Sequence, residues 1–304
     1  MKERRIEITD KTLVALWDLY GDRLKNKIKE LKELTKLIYV IGADYIEITP
    51  ELYDILLPLP KGIEFRVNVN EEINISTGEN VEGITAKKYG ISTLNNVRVN
   101  GLDDLMLYNY EDKFLLILET FGRNMEMSIG NKLGCSTALT LEWIQHGGNK
   151  VITSFAGVGG YTPLEELLCS IEFLQKIYLR GDHVLFPRVL ELFEEIIGEE
   201  LPLNKPFVGK SIFEVESGIH VDGIIKNPKN FEPYDPCKIG RKRKIIIGKF
   251  SGAKSIENKL QELNFPYKSE NIMHILEEVR NESTNKKRSL QDNELLSICQ
   301  RIGA

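Results

Sequence analysis

The chain has 304 residues, 42% of them hydrophobic and 28% charged, which is typical of a soluble globular protein with one large domain and an appendage, or with two domains. Its net charge of −5 argues against nucleic acid as the main partner, because proteins that bind nucleic acid present a clustered basic surface. No apolar run reaches the length of a membrane span, and no hydrophobic signal segment opens the sequence, so we expect a cytoplasmic protein without membrane contact.

The first fifty residues predict a strand, a helix and a second strand. The alternating segment "RIEIT" (5–9) favours a strand. Between residues 24 and 38, apolar side chains recur at helical spacing, and Gly42 is placed to end that helix. "DYIEIT" (44–49) predicts the second strand. Units of this kind build parallel sheets.

The middle of the chain gives weaker patterns. "GIEFRVNVN" (62–70) and "NVRVNG" (96–101) predict strands, and "ITAKKYGI" (84–91) is a fainter candidate. The near-continuous apolar run "KFLLILE" (113–119) predicts a strand that is covered on both faces.

The strand "MEMSI" (125–129) follows that run after only "TFGRN" (120–124). Parallel neighbours need a crossover of a dozen residues or more. This spacing therefore predicts that one helix of the sheet is deleted and that residues 120–124 form a turn in its place.

The next hundred residues alternate between helix and strand. A helix is predicted over 135–146, a strand leaving through a glycine loop over 150–160, and a second helix with Thr162 as N-cap and Pro163 at its first position. A third helix, roughly 184–198, ends at Gly198.

"EELPLNKP" (199–206) is the best linker in the chain, which places a domain boundary near residue 200. Beyond it, glycine- and proline-rich loops surround the strand "KIIIG" (244–248). Two further helices are predicted around 253–263 and 269–282.

Three segments after the linker form a specific combination: "SGIHVDG" (217–223), "KNPKNFEPYDP" (226–236) and "GKFSG" (248–252). In this combination the chain resembles the C-terminal region of the homocitrate synthase and isopropylmalate synthase family, and most of all the nitrogen-fixation type of homocitrate synthase. Earlier segments are similar to family motifs more weakly. They are "DKTL" (10–13), "DYIEIT" with Glu47, "ILETFG" (117–122) with Thr120, and residues 130–160.

The resemblance implies an α/β fold in two parts. Residues 1–200 would form a degenerate, incomplete TIM-type (β/α) barrel, since a complete one takes about 250 residues. Residues 201–304 would form a small α+β C-terminal lid subdomain that carries SGIHVDG.

The family joins acetyl-CoA to a 2-oxoacid in a Claisen-type condensation. It uses a divalent metal held by one aspartate, two histidines and, more variably, an asparagine. In this chain the family's arginine and metal-binding aspartate fall on Val14 and Ala15, and its two histidines fall on Ser128 and Gly130. The resemblance thus implies that this chain alone binds no catalytic metal, and that a divalent metal belongs to a partner subunit. Two further family positions also carry other residues here. The family's aspartate next to those histidines falls on Lys132, and Tyr161 stands about where the family has its asparagine.

The residues proposed for catalysis are His220, Asp222 and Tyr234. In the family, the histidine of this motif reaches over the barrel of a neighbouring subunit and serves acid/base chemistry there; otherwise His220 is a structural histidine. Asp222 would orient the imidazole or cap the turn. The family usually has a side chain with a hydroxyl group at the position of Phe231. In this chain either that hydroxyl is lost or Tyr234 supplies it instead.

Other positions have weaker functional interpretations. Phe250 stands where the family commonly has histidine, and Glu47 and Thr120 are substrate contacts of the family or relics packed at strand ends. "GRKRK" (240–244) could meet the phosphates of coenzyme A, but charge runs are usually solvated loops. The remaining histidines are expected at helix ends or on the surface: His146, His183 and His274.

The leading hypothesis is a subunit of a homocitrate synthase, resembling the omega-type subunit of the split enzyme of nitrogen-fixing clostridia. It would be inactive alone and would donate its lid and His220 in trans to a separate catalytic barrel subunit. That subunit would condense acetyl-CoA with 2-oxoglutarate to homocitrate for nitrogenase cofactor synthesis. The alternative is a non-catalytic regulatory or scaffolding paralogue. A metal-independent enzyme with new chemistry is a third, less supported hypothesis.

Overall fold

The computed structural model describes residues 5–67, 71–75, 81 and 97–303. The chain divides into two units: unit 1 is formed by residues 1–202 and 206–208, and unit 2 by residues 203–205 and 209–304. The weak strand candidate at 84–91 lies outside the described residues, as does the end of the strand predicted over 62–70.

The strand–helix–strand opening predicted from the sequence is confirmed. The first helix after β1 is short, and a 3-10 turn leads into α2, whose residues Leu31, Leu34 and Ile38 are buried at helical spacing. Gly42 ends α2 with a φ of 135°, a conformation that favours glycine. The bounds are β1 Glu7–Asp10, α1 Thr12–Tyr20, the 3-10 turn Gly21–Lys27, α2 Ile28–Ile41 and β2 Tyr45–Ile48.

The described strands of unit 1 form a single sheet in which every pair is parallel. The strand order is β3–β2–β1–β7–β6–β5–β4, and the two-residue strand β8 is added to β7. The remaining strands are β3 Phe65–Val67, β4 Glu71–Ile75, β5 Val97–Gly101, β6 Glu126–Ile129, β7 Lys150–Ser154 and β8 Thr162–Pro163.

The two strands at the ends of this order, β3 and β4, are adjacent in the sequence. Laid flat, seven strands would put the end strands about 29 Å apart, whereas the chain between residues 67 and 71 spans at most about 15 Å. The sheet must therefore curl round on itself. Because so short a connection cannot make a parallel crossover, β3 and β4 belong to one pass of the chain.

If β3 and β4 are counted together as one strand, the described strands of unit 1 that are longer than two residues number six. The other five are β1, β2, β5, β6 and β7. A TIM barrel has eight. The predicted fold class, an α/β incomplete barrel, is confirmed.

The predicted place of the missing helix is wrong. The apolar run 113–119 is not a strand but lies in α4 (Tyr110–Phe121), which buries Phe114, Ile117 and Phe121 on one face. Their spacing is helical, and a short apolar run does not by itself distinguish a strand from a buried helix. Gly122 ends α4 with a φ of 73°, so β5, α4 and β6 form an ordinary crossover and residues 120–124 replace nothing.

The helix after the glycine loop begins at Leu164, one residue later than predicted. Thr162 and Pro163 form β8, and the Thr162 hydroxyl lies 3.0 Å from that of Thr140 instead of capping a helix. The helices predicted over 135–146 and 184–198 are confirmed, and the second of them is capped by Gly198, whereas α3 was not predicted. Their bounds are α3 Pro50–Ile55, α5 Ser136–His146, α6 Leu164–Phe173 and α7 Phe186–Ile197.

Unit 2 has its own hydrophobic core, which includes Ile256, Leu260, Ile275, Val279 and Ile298. Both predicted C-terminal helices are present, and the short parallel pair of β9 and β10 includes the predicted strand at 244. The sequence patterns did not predict α8 or α11. The bounds are β9 Glu214–Val215, α8 Gly218–Lys226, β10 Lys244–Ile245, α9 Ala253–Glu262, α10 Ile272–Lys286 and α11 Asp292–Ile302.

Within the described part of the chain, no helix has both the length and the apolar character that a membrane crossing requires.

Candidate functional site

One face of the unit 1 sheet is charged. Apolar and polar residues alternate along its strands, as in "VRVN" (97–100) and "EMSI" (126–129), whereas strands covered on both faces are usually apolar throughout. The register of the parallel pairs places opposite charges beside one another. The neighbouring pairs are Glu7 with Lys150, Glu47 with Arg66, Glu72 with Arg98, and Arg98 with Glu126.

Arg98 is the centre of these contacts and is only 1% exposed. Its guanidinium donates to both carboxylate oxygens of Glu47, at 2.6 and 3.1 Å, and to Glu126 at 2.7 and 3.0 Å. Arg66 links Glu126, at 2.5 Å, to Glu7, at 2.8 Å. The ion-pair network thus contains four acidic residues, Glu7, Glu47, Glu72 and Glu126, and four basic residues, Lys11, Arg66, Arg98 and Lys150.

Burial disfavours the charged forms of Arg98 and Lys11 in this network, but their ion pairs with carboxylates favour the charged forms more strongly. Desolvation alone would lower the pKa of Arg98, yet Glu47 and Glu126 raise that pKa above its ordinary value. The ammonium of Lys11 lies 3.3 Å from Glu47, and this carboxylate likewise raises the pKa of Lys11 against the effect of burial. Both basic groups remain cationic, and among the described residues the four acidic and four basic members of the network balance in formal charge.

The residues at the family's metal-binding positions do not fit a divalent metal. Val14, at the family's arginine position, and Ala15, at the position of its metal-binding aspartate, are buried in α1, and a Cβ added to Gly159 of the glycine loop would lie 2.7 Å from the Ala15 Cβ. Neither side chain offers a ligand atom. Among the described residues, no group of three His, Cys, Asp or Glu side chains could hold a metal ion.

Lys11 and Glu47 meet at the carboxyl end of β1, where the family motif begins. The Lys11 ammonium stands 5.1 Å from the centre of the Tyr161 ring, in addition to its contact with Glu47. Glu47 is therefore held between Lys11 and Arg98. Thr120, the other candidate substrate contact, lies in α4 and donates its hydroxyl hydrogen to the carbonyl of Leu116, so it does not join this group.

Two acidic side chains lie fully buried beside this network. Asp10 and Glu165 are both 0% exposed, and one oxygen of Asp10 accepts the Thr12 N–H while the other has no hydrogen-bond partner among the described residues. Burial, helped by the nearby Glu165 carboxylate, raises the pKa of Asp10 to about 7 against the hydrogen bonds from Thr12. Asp10 therefore holds a proton in the folded chain at a pH where the unfolded chain has lost it.

This proton makes the stability of unit 1 depend on pH. Since the folded state binds one more proton than the unfolded state between roughly pH 4 and 7, Asp10 reduces the free energy of unfolding by up to about 1.4 kcal/mol per pH unit over that range. Asp10→Asn should remove this slope and raise stability at neutral pH. Both tryptophans, Trp17 and Trp143, lie in unit 1, so denaturation followed by tryptophan fluorescence reports on this unit.

Asp18→Asn is the matched control, because Asp18 is exposed on α1 and its replacement should leave the pH dependence as it is. Equal slopes for the Asp10→Asn variant and the unmodified chain would contradict the prediction.

In unit 2, the motif with His220 packs directly on the GKFSG segment. A Cβ added to Gly218 would lie 2.8 Å from Gly252, and the Gly218 N–H donates to the carbonyl of Phe250 at 3.3 Å. Glu216 accepts the Phe250 N–H at 2.8 Å. Only glycines permit this approach of two chain segments, which explains why the two motifs occur together.

His220 lies in the first turn of α8 and is exposed. The nearest ring is that of Phe231, whose centre is 5.9 Å away. Asp222 lies two positions further along the helix and so points from a different side. Its carboxylate accepts from Lys226 at 2.6 Å and from Lys254 at 2.5 Å, and these lysines lower the pKa of Asp222. In this structure Asp222 therefore joins α8 to the first turn of α9, and the imidazole is not its partner.

The remaining candidates lie around this helix or elsewhere. Tyr234 packs edge-on against Phe213, with ring centres 5.7 Å apart. In the run 240–244, Arg243 binds Glu232 and Lys244 binds Glu214. His183 differs from its predicted surface position: it is buried, and it contacts Glu172 at 3.1 Å.

Comparison with known proteins gives a consistent family. A family model described as "Homocitrate synthase post-HMGL domain-like" matches residues 207–287. The chain is 32% identical, over 66% of its length, to "Homocitrate synthase, omega subunit" from Clostridium pasteurianum, and covers 57% of that protein. It is 33% identical over 70% of its length to "Homocitrate synthase 1" from Nostoc sp., again covering 57%.

A third relative, "2-isopropylmalate synthase 2" from Caldanaerobacter subterraneus subsp. tengcongensis, is 36% identical over 57% of this chain, which covers 46% of that protein. The chain thus spans about half the length of the curated relatives it matches. Among solved structures, a hydroxymethylglutaryl-CoA lyase from Pseudomonas aeruginosa matches with a TM-score of 0.38 and 12% identity, over 65% of this chain and 94% of that one. In sequence, the chain is thus similar to homocitrate synthases and isopropylmalate synthases over more than half of its length.

Proposed function

We propose that this chain is a subunit of a heteromeric homocitrate synthase, and that it donates unit 2 with His220 to an active site on another chain. The other chain, called the barrel subunit below, is a separately encoded synthase chain with the family motifs DTTLRDG and HxHND. Its metal would bind the 2-oxoacid, 2-oxoglutarate, and the condensation with acetyl-CoA would take place there.

The proposal rests on a contrast between the two units. In unit 1, alanine and valine stand at the family's ligand and arginine positions, and one face of the sheet carries a buried ion-pair network. In unit 2, the motif that the family uses for acid/base chemistry keeps its histidine, on an exposed helix turn. A chain of this kind has a use for His220 only at a site outside its own unit 1.

The role of His220 in such a site would be proton transfer. The condensation needs a group that removes or delivers a proton as the methyl carbon of the acetyl thioester attacks the ketone and the new alkoxide is protonated. Imidazole is the side chain that enzymes use most often for this step. Asp222, held by Lys226 and Lys254, would fix the helix that carries His220 rather than touch the substrate.

Reconstitution tests this proposal. The barrel subunit and this chain are purified separately and then mixed with acetyl-CoA, 2-oxoglutarate and Mg²⁺ or Mn²⁺, and release of the coenzyme A thiol is followed. We expect little turnover from either protein alone and a large increase on mixing that saturates at a fixed ratio. Calorimetric titration of this chain alone with the same ions should show no stoichiometric site.

The control is a mixture of the barrel subunit with a variant of this chain in which only His220 is replaced, by alanine or by glutamine. Full turnover of the barrel subunit alone would contradict the proposal, and so would a stoichiometric metal site in this chain.

One observation favours the alternative of a non-catalytic scaffold. The carboxylate nearest in sequence to His220 is engaged by two lysines, and Phe231 and Phe250 stand where the family has a hydroxyl and an imidazole. A scaffold would still raise the activity of the barrel subunit by assembling it, but its effect would not depend on His220.

A further inference from the structure

The segment that leads into α8 binds the backbone of Phe250 at two points. The Glu216 carboxylate accepts the Phe250 N–H at 2.8 Å, and the Phe250 carbonyl accepts the Gly218 N–H at 3.3 Å. Both polar groups of this backbone are therefore used by residues on either side of Ser217, the N-cap of α8. The Phe250 side chain is 67% exposed, so the contact depends on the backbone of Phe250 and not on its ring.

Glu216 also reaches a third segment. The second oxygen of its carboxylate accepts the hydroxyl hydrogen of Ser289, 73 residues further along the chain, at 3.1 Å. Gly248, the first residue of GKFSG, leaves room for this carboxylate, because a Cβ at that position would lie 2.5 Å from the oxygen that binds Phe250. One side chain thus joins the start of α8 to the GKFSG segment and to the connection between α10 and α11.

The GKFSG segment is itself anchored. The Ser251 hydroxyl accepts the Gly248 N–H at 2.9 Å, and Arg280 of α10 donates to the Ser251 carbonyl at 2.8 Å. Just before the segment, the Leu290 N–H donates to the carbonyl of Ile247 at 2.7 Å, and both of these side chains belong to the core of unit 2. The carboxylate at the start of α8 is therefore bound to a support that continues into the core.

His220 stands two residues after Gly218, in the helix turn that this carboxylate holds. Its side chain is exposed, so the place of the imidazole follows from the place of the first turn of α8. A group that transfers a proton must come within hydrogen-bond reach of the reacting atom, and a displacement of 1 Å can cost about a hundredfold in rate. The contacts that fix this turn therefore bear directly on the reaction.

We infer that Glu216 is the positioning residue for His220: its carboxylate fixes the first turn of α8 as a hydrogen-bond acceptor and touches no substrate. This inference rests on the proposed function, because it takes His220 as the group that transfers the proton. Both partners of the carboxylate, a backbone N–H and a serine hydroxyl, are neutral, so the role does not need a negative charge. Glutamine would fill it too, since its carbonyl can accept the Phe250 N–H and its amide can donate to the Ser289 oxygen.

Turnover of the reconstituted complex tests this role. Glu216→Ala should lower kcat about ten- to hundredfold, while the KM values for acetyl-CoA and 2-oxoglutarate change less than about twofold. Glu216→Gln should keep kcat within about threefold of the unmodified chain. Glu214→Ala is the matched control: this carboxylate lies two residues earlier, on β9, and binds Lys244, so its loss should change kcat less than about twofold.

The affinity of Glu216→Ala for the barrel subunit, measured by calorimetric titration, reports whether unit 2 of the variant is folded. If that affinity is lost, Ser289→Ala takes the place of the alanine variant. It removes only the hydroxyl that Glu216 binds, and it should lower kcat about two- to tenfold.

A double-mutant cycle shows whether Glu216 acts through His220. Added to His220→Ala, Glu216→Ala should lower the residual turnover less than about twofold, because no imidazole is left to position. If Glu216 only stabilises unit 2, its replacement would lower turnover by the same factor with and without His220, and the inference would be wrong.

Failure of the positioning role and failure of the proposed function give different results. With His220→Ala inactive, full activity of Glu216→Ala, or an equal loss in Glu216→Gln and Glu216→Ala, would overturn the positioning role and keep the proposed function. Full activity of His220→Ala, or no gain in turnover when the two unmodified chains are mixed, would overturn the proposed function and the positioning role with it.

Discussion

Replacing His220 with alanine is expected to lower the turnover of the reconstituted complex about 10²–10⁴-fold, the usual contribution of a positioned acid/base group. The side chain is exposed on the first turn of α8, so its loss removes no packing from the core of unit 2. The affinity of the two chains and the metal content of the barrel subunit should therefore stay as they are. Turnover is measured at saturating acetyl-CoA and 2-oxoglutarate.

His220→Gln separates chemistry from structure. Glutamine keeps a hydrogen-bonding side chain but cannot transfer a proton, so a catalytic histidine should fail with both substitutions. Rescue by glutamine would identify a structural histidine, and full turnover with both variants would leave only the scaffolding function. Lys226→Met is a suitable companion: it removes one of the two lysines from Asp222 on the same helix, without changing the imidazole.

Replacing Arg98 with methionine is expected to reduce the free energy of unfolding of unit 1 by about 3–5 kcal/mol. The guanidinium is 1% exposed, and it is the partner of Glu47 and Glu126, whose side chains are also buried. Without it these carboxylates keep their desolvation cost and lose most of the compensating charge. Urea denaturation followed by tryptophan fluorescence measures this change, because both tryptophans belong to unit 1.

A combined variant tests the cause of that loss. Replacing Glu126 with glutamine together with Arg98→Met removes one charge of each sign and leaves Glu47 paired with Lys11 and Arg66 paired with Glu7, so part of the lost stability should return. Arg66→Met is the matched control; its side chain is 27% exposed, and the loss should be smaller. If the single Arg98→Met variant were as stable as the unmodified chain, the network would not be part of the core.

The sequence allowed the first strand–helix–strand unit to be predicted because its signals are local: alternation in β1 and β2, helical spacing in α2, and Gly42 at the end. For α4 the local signal misled, since seven mostly apolar residues suit a buried strand as well as a helix. The polar residues on either side of the run would have shown that only Phe114, Ile117 and Phe121 recur at buried positions.

Helix α8 could not be predicted for a different reason. Gly218 and Gly223 lower its intrinsic helix propensity, and only the packing of Gly252 and Phe231 against those two glycines makes them favourable. Such contacts join segments that the sequence does not mark as neighbours.

The ion-pair network of unit 1 could not be predicted for the same reason, because its contacts join segments that are far apart in the sequence. Alternating charges on β5 and β6 are visible in the sequence, but Arg98 meets Glu126 at a separation of 28 residues and Glu47 at 51. Which charge faces which depends on the strand order and register. The family's metal-binding positions, by contrast, were assigned from the resemblance of the motifs and not from the fold, and this assignment stays a prediction.

The position of β1 in the sheet has a consequence for synthesis on the ribosome. This strand is the first to be made, yet one of its edges pairs with β7, which begins at residue 150. At the usual rate of translation, roughly ten to thirty seconds pass between the two. During that interval a row of backbone N–H and C=O groups on β1 has no strand to bind, and such edges attract other chains. This edge of β1 can therefore be covered by its own sheet only after β7, which ends at Ser154, has left the exit tunnel.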